Sequence, residues 1–316
     1  MSEPHQPSAV TRLWNAAGML LVLALLFLLC SFFVGNFLTV TNLRGLALSV
    51  STTGMVACTM MFCLAAGDFD LSVGSVVAFA GVLGATVMNA TGSVTAGVAA
   101  ALANGALVGL LNGLFVARVG INALITTLAS MQVVRGLGFI VSDGRAVGVR
   151  PAAFFALGNS AWLGVPTPVW LTAGCFAVFG VLLHYTVFGR YALAIGGNRL
   201  AAHFSGVPVT RIKVVIFTLQ GLVAAAAGLV LASRMTSGQP NTSQGLELEV
   251  ISACVLGGVS LSGGVARISA VVAGVLIMGV VQNAMNLLNI PPFYQYVARG
   301  AILLAAVLLD RFKSRA

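Results

Sequence analysis

The stretch from Gly189 to Lys213, GRYALAIGGNRLAAHFSGVPVTRIK, is the longest polar interruption in an otherwise apolar chain. It holds four of the sixteen lysines and arginines (Arg190, Arg199, Arg211 and Lys213) together with His203. Its centre reads as one short helix. Asn198 is a good N-cap, because its side-chain oxygen accepts an unpaired N–H of the first turn. Gly206 suits the left-handed conformation that ends a helix, and Pro208 bars continuation. Arg199 to Ser205 then makes about two turns, on the order of 10 Å. A helix of that length does not cross a bilayer; it suits a membrane surface and contact with another protein.

On either side the chain is apolar. Hydrophobic residues make up 59% of it and charged residues 7%, against about 25% charged in soluble domains. Apolar runs of about 20 residues follow one another, each long enough to cross the hydrocarbon core as a helix. The expected fold is all-α: a polytopic membrane protein of about ten transmembrane helices, some short or broken. The candidate spans are Trp14–Val34, Leu46–Ala66, Val73–Ala90, Val94–Ala117, Ile121–Val141, Pro166–Tyr185, Val214–Ser233, Glu249–Leu261, Ile268–Leu288 and Tyr294–Leu309. Together they form one membrane domain over 14–310, with a tail at 1–13 and another at 311–316. Trp14–Val34 reads as an anchor, because it lacks a small-residue cleavage site and further spans follow.

Charge sets the orientation. With alternating spans and the N-terminus in the cytoplasm, the inside loops and tails hold Arg12, Arg118, Arg190, Arg199, Arg211, Lys213, Arg267, Arg311, Lys313 and Arg315. Arg44, Arg145, Arg150 and Arg234 fall outside, and Arg135 and Arg299 lie within spans. Ten against four follows the positive-inside rule and places both termini in the cytoplasm. The net charge of +9 is thereby explained by membrane lipid and topology, without nucleic acid.

Only seven acids are present. Asp68 and Asp70 sit in GDFDLSVGS, between two apolar runs. Asp70 or Ser72 suits the cap of a helix starting near Val73; the other reading is a helix break lining a path or gate. Leu71-Ser-Val-Gly74 is echoed by Leu261-Ser-Gly-Gly264, with Gly67 and Gly257 at the same offset. This is a weak internal repeat of the transporter kind, or chance similarity among small residues, and it adds Ser262 to the helix-break set. Polar residues within spans, including Asn122, Thr126, Gln132, Asn283 and Asn286, face other helices or a wet path. Arg135 either lines such a path or snorkels outward. The five cysteines fall in apolar runs with no metal spacing.

Neither of the two lysines lies in a GxxxxGK[ST] pattern, so no P-loop is present. HExxH and GxSxG are also missing. The residues argue for transport or scaffolding rather than catalysis. An ion-coupled secondary transporter would need its coupling acid at mid-membrane; Asp68 and Asp70 are the only candidates, and the topology places them near a cytoplasmic end.

Four stretches carry a closer resemblance: GDFDLSVGSV, the loop 189–213, ASRMTSGQPNTSQGLELEVISACVLGGVSLSGG and NAMNLLNIPPFYQYVARGAILLAAVLLDR. They resemble the permease subunits of bacterial monosaccharide ABC importers, the ribose, xylose, arabinose and galactose branch, over nearly the whole chain. Within that branch, NALITTLASMQVVRGL, SDGRAVGV and SRMTSGQP are most similar to the arabinose members.

The resemblance implies a homodimeric pore in the bacterial inner membrane. A separate cytoplasmic ATPase with two nucleotide-binding halves would use ATP and magnesium, and a periplasmic binding protein would deliver sugar. This chain itself would bind no cofactor and no metal. The segment Gly196–Gly206 matches the family's coupling loop, which assigns Gly196, Gly197, Asn198, Arg199, Ala202, His203 and Gly206 to ATPase contact; the plainer reading is an amphipathic surface helix. Arabinose is the expected cargo, with ribose, xylose or galactose as alternatives.

The topology yields a labelling outcome. In a cysteine-free background, Arg199→Cys should resist an impermeant thiol reagent in intact cells and react in opened ones. Labelling from outside would reverse the orientation.

Overall fold

The computed structural model describes residues 9–313. The tail residues 1–8 and 314–316 lie outside them, as do the side chains of Arg12, Arg311 and Lys313. The described chain is mostly helical. It runs α1 (Ala9–Phe33), α2 (Val40–Ala65), α3 (Val73–Thr91), α4 (Val94–Leu114), a π-helical turn (Phe115–Val119) and α5 (Ala123–Ser142). A short strand β1 (Val147–Gly148), a 3₁₀ turn (Ala152–Phe155), α6 (Ala156–Asn159), β2 (Ala161–Trp162) and β3 (Val165–Pro166) follow. The remainder is α7 (Thr167–Tyr185), α8 (Val187–Gly197), α9 (Arg199–Phe204), α10 (Val209–Met235), β4 (Ser237–Gly238), α11 (Leu246–Leu256), α12 (Ile268–Leu287) and α13 (Pro292–Lys313).

Among the described residues, seven helices are long and apolar enough to cross a membrane: α2, α3, α4 with its π turn, α5, α7, α10 and α12. Shorter apolar stretches lie in α1 and α13. The candidate span Glu249–Leu261 is corrected to α11, which has 11 residues and extends about 16 Å at 1.5 Å per residue, too little to cross alone. The sequence pattern ran past its true end because Val255 to Leu261 stays apolar through a glycine turn.

The centre of the bundle is α2, α3 and α10. Their lower halves and middles hold Met60, Met61, Leu64, Val73, Val76 and Ile216, all buried. Helix α4 packs through a four-residue repeat of small buried residues: Gly97 and Ala101 lie against α3, and Gly105, Gly109 and Gly113 against α10. A Cβ on Gly109 would collide with the Phe217 carbonyl, and one on Gly105 with the Gly221 carbonyl. Lipid tails are as apolar as leucine, so helices in a membrane associate through such close packing rather than by escaping water. Helix α1 lies at the edge, against α12 through Cys30, Phe37, Leu46 and Val280.

Loops gather at two ends. At one, β1 pairs antiparallel with β4, Val147 opposite Gly238. Asn89 joins this end, donating to the Gly148 carbonyl at 2.7 Å and accepting from the Arg150 N–H at 2.9 Å. At the other lie the α2–α3 turn, the α8–α9 pair and the α11–α12 loop, held together by a hydrogen bond from the Gly264 N–H to the Ala65 carbonyl, 2.9 Å.

Gly109→Val should lose most of the folded, membrane-inserted protein, since overpacking costs about 1–3 kcal/mol or more where a backbone is the obstacle. Gly136→Val, where an added side chain would meet open space, should leave the amount unchanged in the same membrane blot.

Candidate coupling site

The polar stretch that interrupts the apolar pattern folds as two helices, not one. Asn198 caps α9 as its residue type demands, accepting the Ala201 N–H at 3.0 Å. Gly206 sits at φ +83°. The Gly206 N–H reaches the His203 carbonyl and the Val207 N–H the Ala202 carbonyl, each at 3.0 Å, the paired bonds of a glycine-terminated helix. Helix α9 ends at Phe204, one residue before the expected Ser205.

The unexpected element is α8. Thr186 caps it, accepting the Gly189 N–H at 3.3 Å, and Gly189, Ala192 and Ile195 form its buried stripe. Phe188 packs on Phe62 of α2 with ring centroids 5.5 Å apart. Arg190 and the two glycines at 196 and 197 mask this helix in the sequence, because they dilute a three-residue apolar stripe.

Gly196 is where α8 meets the bundle. A Cβ there would overlap the Ala65 carbonyl and crowd the Gly264 N–H, the donor and acceptor of the bond that joins the two helix breaks. A Cβ on Gly263 would lie 2.7 Å from the Gly196 Cα. The end of α2, the α11–α12 loop and the end of α8 therefore touch backbone to backbone. Gly197, Asn198, Arg199, His203 and Gly206 are exposed beyond this seat, while Ala202 is buried. Leu200 and Phe204, one turn apart and not anticipated as site residues, are 70% and 85% exposed, so α9 presents an apolar face outward.

The two helix breaks share a construction. After α2, the Gly67 N–H bonds to the Leu64 carbonyl and the Asp68 N–H to Cys63; after α11, the Gly258 N–H bonds to Val255 and the Val259 N–H to Cys254. Gly67 and Gly258 both have positive φ, +76° and +90°. The matching position is thus Gly258, one residue beyond the Gly257 of the sequence echo. Ser262 is exposed on the second loop, with its N–H on the Ser260 hydroxyl at 3.3 Å.

The acids of the first break are buried and occupied. Asp68 forms an ion pair with Lys213 at 2.8 Å, with side-chain exposures of 10% and 7%, so the break is tied to the start of α10. The start of α3 is held by Asp70 rather than by Ser72. Ser72 stands at the N-cap without a side-chain capping bond; one Asp70 oxygen accepts both the Ser72 N–H, 2.9 Å, and its hydroxyl, 2.6 Å. Asn112 of α4 donates to the Ser72 hydroxyl at 3.0 Å. The Ser72 hydroxyl is thus drawn toward Asp70 and Asn112 rather than toward the N–H groups of the first turn of α3. Burial pushes the Asp70 carboxyl up to about 6, opposed by the Ser72 bonds. Burial also raises Asp68, opposed chiefly by Lys213.

The suggested path residues are not brought together. Asn122 caps α5, accepting the Leu124 N–H at 2.9 Å, and Thr126 donates to the Asn122 carbonyl. Gln132 is exposed farther along α5. Asn283 exchanges hydrogen bonds with Asn42 of α2, and Asn286 accepts from Gln295 of α13 at 2.9 Å. The last two serve as ties between helices.

A helical membrane bundle whose broken helices meet a surface-borne helix pair is the architecture of a transport permease. The comparisons agree. Residues 42–307 match the family model described as branched-chain amino acid transport system / permease component, and the chain belongs to that family. It is 61% identical to the L-arabinose transport system permease protein AraH of Escherichia coli K12, over 99% of this chain and 95% of that protein. It is 56% identical to the L-arabinose ABC transporter permease protein AraH of Azospirillum brasilense, over 96% and 90%. It is 41% identical to the ribose import permease protein RbsC of Bacillus subtilis, over 94% and 93%. No solved structure matches.

The buried pair has a measurable consequence. Asp68→Asn should destabilise the protein by about 3–5 kcal/mol, the usual cost of stranding a buried charge, while Asp68→Asn combined with Lys213→Met should recover most of it. Thermal unfolding in detergent compares the two. Equal melting of the single and double variants would mean that the ammonium finds water.

Proposed function

We propose that this chain is the membrane subunit of an ATP-driven importer of L-arabinose, moving sugar from periplasm to cytoplasm. The observation that carries the reading is the full-length similarity to two AraH permeases, stronger than that to ribose permeases. The proposed assembly is a homodimer in the bacterial inner membrane, joined to a cytoplasmic ATPase that uses ATP and magnesium and served by a periplasmic sugar-binding protein. No cofactor is assigned to this chain.

The proposed topology has ten crossings and both termini in the cytoplasm. Helices α1–α5, α7, α10, α12 and α13 supply nine. The turn-rich segment 239–245 together with α11 supplies the tenth, which preserves the alternation despite the shortness of α11. The α8–α9 end is then cytoplasmic, and the β1–β4 end faces the periplasm.

The exposed Leu200 and Phe204 suit a groove on the ATPase. Motion of α9 is passed through α8, whose Gly196 seat bears on the ends of both α2 and α11. ATP-driven closure of the ATPase thereby reaches two helix breaks at once. The permease need not hold sugar tightly, because tight binding to one state slows release. The occupied state of Asp68, paired with Lys213, weighs against its use as the coupling acid of a secondary transporter.

Proteoliposomes holding the permease, its ATPase and binding protein should take up labelled L-arabinose with ATP, and ribose, xylose or galactose more slowly. Gly206→Pro, which removes an N–H and forbids the +83° φ, should leave the permease in the membrane and abolish ATP-driven uptake. Wild-type uptake by that variant would detach α9 from coupling, and faster ribose uptake by the wild type would reassign the cargo.

A further inference from the structure

The lead into α11 is non-helical backbone inside an apolar bundle. Gln239 and Thr242 lie against Val77, Ala78 and Gly81 of α3 and Gly228 of α10. Carbonyl groups at such a depth need donors from the protein itself or from a wet path. Three helices supply them or hold the helix that follows. Arg135 of α5 donates to the Pro240 carbonyl at 2.9 Å and the Thr242 carbonyl at 2.7 Å. Thr53 of α2 donates to Glu249 at 2.9 Å, and Arg299 of α13 lies 3.7 Å from the other Glu249 oxygen. The Ser243 carbonyl and Glu247 press on Gly74 of α3.

The ties differ in what they join. Thr53 and Arg299 hold α11 itself. Arg135 holds the turn-rich lead and faces Glu247 at the start of α11, and it does so from a helix with much of its surface open. Only 22% of the apolar window of α5 is buried, against 78% for α2 and 72% for α3. A cavity of about 510 Å³ opens between α4 and α5, lined by Leu107, Leu111, Ile125 and Val133 among others. Helix α5 packs on α3 through a narrow buried stripe that includes Val134, Gly138 and Ser142, with Gly138 beside Phe79 and Pro240. A guanidinium on two neutral carbonyls makes charge-assisted bonds, and water or sugar hydroxyls can accept the same protons when the contact opens.

We propose that Arg135 is the positioning residue of a gate at membrane depth: segment 239–245, with α11 behind it, separates from α5 in each transport cycle, and Arg135 latches the closed position. The proposal rests on the importer reading and adds to it the place where the path opens and the residue that holds it shut.

The test is a reversible staple in the full complex. A Cβ built on Gly138 lies 3.9 Å from the Pro240 Cβ, within the disulfide range of about 3.5–4.5 Å, and meets no obstruction. Gly138→Cys with Pro240→Cys, in an otherwise cysteine-free chain, should cross-link on oxidation, lose arabinose uptake in proteoliposomes and regain it on reduction. Uptake by the oxidised, cross-linked protein at the reduced rate would overturn the gate, and so would failure of the pair to cross-link, because the closed contact would then be absent. Absence of ATP-driven uptake by the unmodified chain in the same proteoliposomes would instead overturn the importer reading and the gate with it. Independently, Arg135→Gln should reach the membrane in normal amount and move several-fold less sugar per ATP hydrolysed. A residue serving only as a strut would lower the amount of protein and leave that ratio unchanged, which would also overturn the proposal.

Discussion

One hydrogen bond, from the Gly264 N–H to the Ala65 carbonyl, organises the α8–α9 end of this protein. Helix ends leave carbonyls without partners, and within an apolar bundle such groups must be satisfied by other parts of the chain. Here the end of α2 is satisfied by the loop that follows α11, so two breaks far apart in sequence close one another. Gly196 then lies against that bond with no side chain between. A rod that ends on a hydrogen bond shared by two helices cannot move without moving both.

The same economy runs through the bundle. Helix α4 reaches α10 along a glycine stripe, and Lys213 reaches Asp68 through an interior with little water. A buried ion pair contributes little net stability, since desolvation offsets the attraction, yet removing one partner is costly. The pair therefore fixes where the start of α10 stands relative to the α2–α3 break more than it strengthens the fold. That is the property required of a joint between a surface helix and a pore.

Much of this was legible in the sequence where the cause is local. Asn198, Gly206 and Pro208 set the ends of α9 through their own conformational preferences, and the long apolar runs set the principal helices. What escaped was built from distant partners. Nothing near Lys213 points to Asp68, nor anything near Arg135 to the carbonyls of Pro240 and Thr242. Helix α8 was hidden because its buried stripe, Gly189, Ala192 and Ile195, contains one large apolar residue. The Ser72 side chain escaped for a related reason: its hydroxyl takes a bond from Asn112, forty residues away.

Helix α11 has a consequence for how the chain is made. It has 11 residues and two glutamates in its first turn, and a charged side chain at the bilayer centre costs about 3 kcal/mol even on the lenient insertion scales. Such a segment does not partition into lipid as it leaves the insertion machinery. The partners of Glu249 are Thr53, made long before, and Arg299, in α13. Because α13 follows α11 and α12 in the chain, this charge partner arrives only after both, and α11 to α13, about a fifth of the chain, pack as a unit rather than helix by helix.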